Sequence, residues 1–343
     1  MKSPVFRTSV FAAIASSASG LRWKTSKQAP GSVEEDSEPG STVDAHTGYA
    51  DGAGSKFCID GYRAPAFFLL GAQKASTTSF AKMFFMSPQV LQTEKELHFF
   101  DDEYGFDARG GRRGYLENFG RCDDTAHAGS FAVDCTPNYL ASDYAPGALH
   151  ALYGNQAQAL TFAIILREPV KRMYSAYNHC REERWHAECW QADFHTLVEE
   201  LVANQSGLVS SSLVKKSLYV DQIIMWFESF DPVQFTVTPM LYNVAPQVVG
   251  DKPHFYEYMW TKLGLPKPTH YAETAPQANA RTYPPLDTSI STALRTRLEA
   301  FLYARTGPEQ VARVVCGSGA TLYGCEDCRE QGEIAQWMRA GWG

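Results

Sequence analysis

Apolar positions along this chain fall into short unbroken runs and into stretches with a helical period, and the two kinds alternate. Ala66-Phe67-Phe68-Leu69-Leu70 is a run closed by Gly71, the pattern of a strand buried on both faces. Phe80, Met83 and Phe84 follow at i, i+3 and i+4, which predicts an amphipathic helix stopped by Ser87-Pro88. Further strands are predicted over residues 131–134, 161–166 and 234–238, and helices over 170–181, 194–202, 217–230 and 293–303. Short buried strands alternating with helices argue for an α/β fold around a mainly parallel sheet. No internal repeat is found.

Residues 1–60 follow another pattern. Lys2 and Arg7 precede the apolar stretch Val10-Phe11-Ala12-Ala13-Ile14-Ala15, and Ser16, Ser17, Ala18 and Ser19 supply small residues behind it. That arrangement fits a short signal peptide, or equally a disordered terminus with a chance apolar patch. Gln28 to Gly54 is rich in Gly, Ser, Pro and acids and buries too little apolar surface to offset its chain entropy. The expected organisation is therefore a targeting or disordered segment at 1–60 and a folded domain at 61–343, the latter with a Cys-containing C-terminal extension.

Composition narrows the picture. Of 343 residues, 44% are hydrophobic and 20% charged, an ordinary globular balance that sets aside fibrous classes. With 31 basic and 38 acidic residues the formal charge is −7, so no nucleic-acid partner is expected. No apolar run reaches about 18 residues, so a conventional transmembrane helix is not expected.

The chemistry-bearing segments sit where predicted strands end. Gly71-Ala72-Gln73-Lys74-Ala75-Ser76-Thr77-Thr78 joins a strand to a helix, and N–H groups at such a helix start converge on an anion. Helix capping accounts for the hydroxyls, but not for a Lys three residues after the strand's Gly. The nucleotide-triphosphate pattern G-x-x-x-x-G-K-[ST] fails, with Ser76 in place of its second Gly and Thr77 in place of its Lys. Lys95-Glu96-Leu97-His98-Phe99-Phe100-Asp101 sets a carboxylate and an imidazole two residues apart, on one side if extended. Taken alone, it reads better as a surface Lys-Glu pair beside an aromatic cluster. Arg167-Glu168-Pro169-Val170-Lys171-Arg172-Met173-Tyr174-Ser175-Ala176-Tyr177 offers Arg167 at a strand end and Ser175 on the next helix to one phosphate. Between these lies Asp134-Cys135-Thr136-Pro137-Asn138-Tyr139, where Pro bends the chain across a site.

Together these segments resemble sulfotransferases that use 3′-phosphoadenosine 5′-phosphosulfate (PAPS), closest to the heparan sulfate and carbohydrate branch. Residues 71–78 are similar to that family's 5′-phosphosulfate loop, 95–101 to its Lys-Glu-x-His-Phe-Phe-Asp segment, and 165–177 to its 3′-phosphate element. Ser217-Leu218-Tyr219 with Trp226, and Leu263-Gly264-Leu265-Pro266, resemble later landmarks, so the likeness runs in order from about 65 to 305. The resemblance implies a P-loop-like three-layer fold, a central sheet flanked by helices. It implies that Lys74, Ala75, Ser76, Thr77 and Thr78 cradle the 5′ phosphosulfate, and that Arg167 and Ser175 hold the 3′ phosphate. Tyr219 would lie near the nucleotide, and Arg281 would add a contact to it. Glu96 would be the general base, with Lys74 and His98 completing the catalytic set, and His98 and Asp101 would orient the acceptor. PAPS would be the donor and PAP the product, no metal being required. The acceptor would be a carbohydrate hydroxyl or amine, or alternatively a small metabolite.

Three departures from the family pattern stand out. Cys135 occupies the place of a Lys before Thr-Pro-x-Tyr, Asn279-Ala280-Arg281 only echoes a Lys-Gly-Arg loop, and the net charge is negative. Arg109, Arg112, Arg113 and Arg121 form a basic cluster that reads either as a site for an acidic acceptor or, more simply, as a solvated loop. A nucleotide-dependent phosphoryl transferase and a sulfotransferase-like nucleotide-binding module without turnover are the competing functions. Eight cysteines include Cys180 and Cys189 as one possible disulfide, and Cys325 and Cys328 in C-x-x-C spacing with Cys316 nearby. A zinc site there lacks a fourth ligand close by. Disulfides fit a secretory, Golgi-luminal enzyme, whereas free thiols fit a cytoplasmic one.

Overall fold

The computed structural model of the chain describes residues 57–204, 210–250, 252–271 and 282–342. The N-terminal apolar stretch, the acidic linker and Asn279-Ala280-Arg281 lie outside them. The first described element is a hairpin of β1 (Phe57–Ile59) and β2 (Tyr62–Ala64), antiparallel. Its turn, Asp60-Gly61, has positive φ at both residues (53° and 80°), as a two-residue hairpin turn matching strand twist requires. A disulfide from Cys58 to Cys122 and a bond from Arg63 Nη2 to the Asp124 carbonyl (2.7 Å) fasten the hairpin to the 120–124 loop.

The central sheet consists of β3 (Phe67–Gly71), β4 (Val133–Asp134), β5 (Thr161–Leu166), β6 (Phe235–Pro239) and β7 (Thr321–Leu322). Its order is β4-β3-β5-β6-β7, and every pairing is parallel. Parallel strands need helical crossovers, which cover both faces, so such strands are apolar throughout rather than alternating. All five residues of β3 and of β6 are buried. The longer crossover and flanking helices are α1 (Thr77–Phe84), α2 (Ala145–Tyr153), α3 (Pro169–Glu183), α4 (Phe194–Ala203), α5 (Tyr219–Ser229), α6 (Phe255–Lys262), α7 (Thr292–Thr306), α8 (Pro308–Val315) and α9 (Gln331–Gly341). This is the expected three-layer α/β architecture.

Aromatic packing locks the layers. Phe162 on β5 meets Trp226 of α5 and Phe230 just past its end at 5.4 and 4.7 Å between ring centroids, and Phe80 of α1 meets Phe255 of α6 at 5.4 Å. Each such side chain contributes roughly 1.5–3 kcal/mol when fully buried. Trp226 also donates its indole N–H to the Leu140 carbonyl (3.2 Å), fixing the segment that follows β4. That segment crosses the end of β3 so closely that only glycine fits at Gly71. A Cβ there would stand 2.7 Å from Leu140 Cβ and 2.9 Å from the Pro137 carbonyl oxygen.

The start of α3 shows how sequence sets an element boundary. Pro169 takes the first helical position, and the Glu168 side chain caps the helix, accepting the amides of Val170 (2.9 Å) and Lys171 (2.6 Å). Tyr303 of α7 donates to the same carboxylate at 3.0 Å. Two differences from the sequence expectation have local causes. Strand β4 keeps only two residues, because Phe131 instead bridges to Val90. Ser217 stays outside α5, since its buried hydroxyl accepts from Arg172 Nε (2.7 Å) and donates to backbone carbonyls. Among the described residues no helix is long and apolar enough to cross a membrane.

Gly71→Ala is expected to destabilise the fold by about 1–3 kcal/mol through overpacking against Leu140 and Pro137. The measurement is the shift of the urea midpoint at unchanged slope.

Candidate active site

The loop from Ala72 to Ser76 turns the chain from β3 into α1. Lys74 and Ser76 both have left-handed backbone, with φ of 71° and 64°. The loop is held at its base, where the Ala72 amide donates to the Ile165 carbonyl of β5 (2.7 Å) and the Ala75 amide to Ala72 (3.1 Å). Ser76 occupies the N-cap position of α1, yet its side chain caps nothing. Its hydroxyl accepts from Asn243 Nδ2 (2.9 Å), a fully buried residue after β6, which leaves the hydroxyl proton to donate. Asn243 is in turn fixed through its carbonyl by His254 Nδ1 (2.8 Å). Sequence reading missed Asn243, which belongs to no motif and stands out only as a polar residue among apolar ones.

Arg167, at the end of β5, closes on this loop by donating Nη1 to the Lys74 carbonyl (3.0 Å). Its carbonyl accepts the Tyr219 hydroxyl (2.8 Å), and its buried Nε has no partner among the described residues. Lys74, Ser76, Arg167 and Tyr219 are thus brought together. Thr77 is buried at the start of α1, and Ser175 is buried on α3 two turns beyond Arg167's strand end.

A second cluster is carried by residues 95–101. Glu96 accepts from Lys95 Nζ and lies 3.3 Å from His98 Nε2, while His98 Nδ1 meets Asp101 Oδ2 at 2.7 Å. Burial opposes ionisation of Glu96, but the hydrogen bond from His98 and the charge of Lys95 prevail and bring its pKa to about 2. The bonds to Asp101 and Glu96 raise His98 to about 9 against the opposing effect of burial. At neutral pH this is a carboxylate–imidazolium–carboxylate row. Both Glu96 and His98 have positive φ (71° and 58°), a strained backbone for these residues.

The cluster hangs from the Asp134 side chain at the end of β4. That buried carboxylate accepts the hydroxyls of Thr136 (2.6 Å), Tyr115 (3.0 Å) and Tyr139 (3.2 Å). Thr136 Oγ1 then receives the Leu97 amide (3.0 Å), and the Tyr139 hydroxyl the Phe99 amide (3.1 Å), so the backbone is tied on both sides of His98. Because residues 137–140 also press on Gly71, the carboxylate row and the Lys74 loop share one end of the sheet.

Cys135 is fully buried, and burial, with the charge of Asp134, pushes its thiol pKa upward. It is a neutral group. The arginine cluster is not a free basic surface: Arg112 pairs with Asp60 (2.5 Å), Arg113 with Glu117 (2.8 Å) and Arg121 with Asp123 (3.1 Å), and Arg109 donates to the Gly105 carbonyl (3.1 Å). Among the described residues the cysteines form Cys58–Cys122, Cys180–Cys189 and Cys325–Cys328 disulfides, leaving Cys135 and Cys316 free.

A sulfotransferase from Alicyclobacillus acidocaldarius has the same fold, with a TM-score of 0.50 at 20% identity over 73% of this chain and 94% of that one. No family model matches the chain. In sequence, it is 21% identical over 173 residues to heparan sulfate glucosamine 3-O-sulfotransferase 5 of Mus musculus and of Homo sapiens. The match takes in 50% of this chain and 47% of each relative, so the chain spans about half the length of the curated relatives it matches. The resemblance to the sulfotransferase family, with its heparan sulfate branch, is therefore borne out in sequence and in fold.

The protonated His98 carries a pH signature. Its folded pKa of about 9 lies above the ordinary 6.5, so its contribution to stability is complete below about pH 6.5 and is lost as pH rises through about 9. His98→Asn keeps a residue that tolerates positive φ. The stability gap between wild type and this variant is expected to be constant between about pH 4.5 and pH 6.5, to shrink below that range as Glu96 protonates, and to shrink above it as pH rises through about 9, as read by thermal unfolding.

Proposed function

We propose that this chain is a PAPS-dependent sulfotransferase that moves a sulfuryl group to a hydroxyl or amine of a carbohydrate acceptor. The observation that carries the reading is the meeting of the Lys74 loop, Arg167 and the Glu96 row at one end of a parallel sheet, the place where α/β folds bind their ligands. The residues fit a nucleotide carrying two phosphate groups. Arg167 has a buried donor, Nε, with no partner among the described residues, and the Ser76 hydroxyl is spared from capping. When bound, PAPS would supply the activated sulfuryl group.

The remaining roles belong to the chain. Lys74, Ala75, Ser76, Thr77 and Thr78 hold the 5′ end, with Lys74 steadying the charge that grows on the departing oxygen. Arg167 and Ser175 hold the 3′ phosphate and Tyr219 buttresses Arg167, while Arg281 is assigned a nucleotide contact by resemblance alone. Glu96, ionised at neutral pH, takes the proton from the acceptor. His98 is not the base, because at neutral pH both its nitrogens carry protons turned to carboxylates. It holds Glu96 in place and, with Asp101, orients the acceptor. Positioning and electrostatics do most of the work in transfers of this kind. The name of the sequence relatives, which specifies glucosamine of heparan sulfate, supports a glycan acceptor. The three disulfides among the described residues support an oxidising, secretory setting such as the Golgi lumen. We assign residues 1–60 to targeting or linkage and the remainder to the catalytic domain.

Calorimetric titration tests the donor. PAP is expected to bind the wild type, ATP with Mg²⁺ to bind far more weakly, and Lys74→Ala to lose about tenfold or more in PAP affinity, the worth of one charge-assisted bond. A folded wild type that ignores PAP would overturn the assignment. For the base, Glu96→Gln is expected to lower kcat/KM with labelled PAPS and a glycan acceptor by roughly 10²–10⁴ while PAP affinity holds. PAP binding with no turnover of any glycan or small acceptor would instead indicate a nucleotide-binding module.

A further inference from the structure

Beside the Lys74 loop lies a small cavity of about 30 Å³ lined by Gln73, Arg172, Trp185, His186, Ser212 and Lys216, among others. One water needs about 10–15 Å³ on this scale, so there is room for the head of one small polar group. Its wall holds a charge that the protein does not neutralise. Arg172 is fully buried, and its guanidinium donates Nε to Ser217 and Nη2 to the Leu213 carbonyl, both uncharged acceptors. Its Nη1 has no partner, and no carboxylate pairs with it among the described residues. An isolated buried cation with an orphaned donor is costly and calls for an anion.

The second cation is Lys216, mostly withdrawn from water at the same cavity. Its ammonium makes no ion pair among the described residues, and burial together with the charge of Arg172 lowers its pKa. Glu188 accepts the hydroxyls of Ser211 (3.1 Å) and Ser212 (3.0 Å) and does not line the cavity, whose described lining includes no carboxylate. Gln73, the residue before Lys74 in the loop from Ala72 to Ser76, also lines the cavity, which sets it beside the proposed donor site.

We infer that this cavity is an oxyanion subsite, in which Arg172 Nη1 and Lys216 Nζ grip a sulfate or carboxylate of the acceptor while its reacting group faces Glu96. The assignment of the ligand to the acceptor rests on the proposed sulfotransferase reading. The two-cation site itself does not.

The test uses the full chain and inorganic phosphate as the probe, titrated calorimetrically at constant ionic strength in the presence of saturating PAP. Wild type is expected to bind one phosphate. Lys216→Met is expected to weaken that binding by about tenfold or more, and Lys216→Arg to retain most of it, with unfolding midpoints showing that both variants are folded. Abolition of phosphate binding by PAP, or equal binding by wild type and folded Lys216→Met, would overturn the subsite. Should PAP itself not bind, the donor assignment fails separately. Phosphate titration without PAP then still reads the cavity, which requires sensitivity to Lys216→Met and none to Lys74→Ala. A sulfated hexosamine is expected to displace phosphate while its unsulfated parent does not. Displacement by neither would show a site for free phosphate alone and would overturn the acceptor role.

Discussion

The site depends on one buried carboxylate. Asp134 ends a two-residue strand and is almost wholly removed from water, yet among the described residues it accepts three hydroxyl groups and pairs with no cation. Burial raises its pKa to about 6, and the three hydrogen bonds keep it from rising further. Two of those hydroxyls pass the constraint on, holding the amides of Leu97 and Phe99 on either side of His98. Glu96 and His98 are thereby kept in left-handed backbone that neither would choose, at a cost of order 1–3 kcal/mol each that the surrounding bonds offset. Strain of this kind persists only where the neighbourhood over-determines it, and here the neighbourhood is Asp134.

The charge distribution then separates two populations of basic residues. Arg112, Arg113 and Arg121 sit in exposed ion pairs with acids of their own region, contacts that solvent screens heavily. Arg167 and Arg172 are instead satisfied by backbone carbonyls and hydroxyls, with donors to spare. A chain with a formal charge of −7 can therefore still present a strongly cationic interior to one ligand. Net charge speaks of solubility and long-range attraction, and it leaves the local field open.

Legibility in the sequence followed the length of the local signal. Strand Thr161–Leu166 was readable because its apolar run is bounded by Arg167 and Pro169. Helix α3 was readable because a capping acid and a proline mark its start. The three-residue strands β1 and β2 and the two-residue β7 are too short to show a period, so their pairing is a tertiary result. In the site, Lys74, Glu96, His98 and Arg167 lie in motifs. Asn243 and Lys216 do not: the first is a single polar residue after a strand, and the second, beside Lys215, looks like a solvated helix surface. Both acquire meaning only when distant segments meet, as Arg172 does when Ser217 and Leu213 close around it.

The all-parallel sheet has a consequence for how this protein comes into being. Neighbours β3 and β5 are joined only after some ninety residues have been threaded between them, and β6 and β7 after some eighty more, so the pairings that shape the site have high contact order. Lys74, Glu96, Asp134, Arg167, Lys216 and Asn243 are donated by six separate stretches of a growing chain. No early folding unit holds enough of them to grip an anion, and the proposed nucleotide site is therefore complete only with the finished sheet.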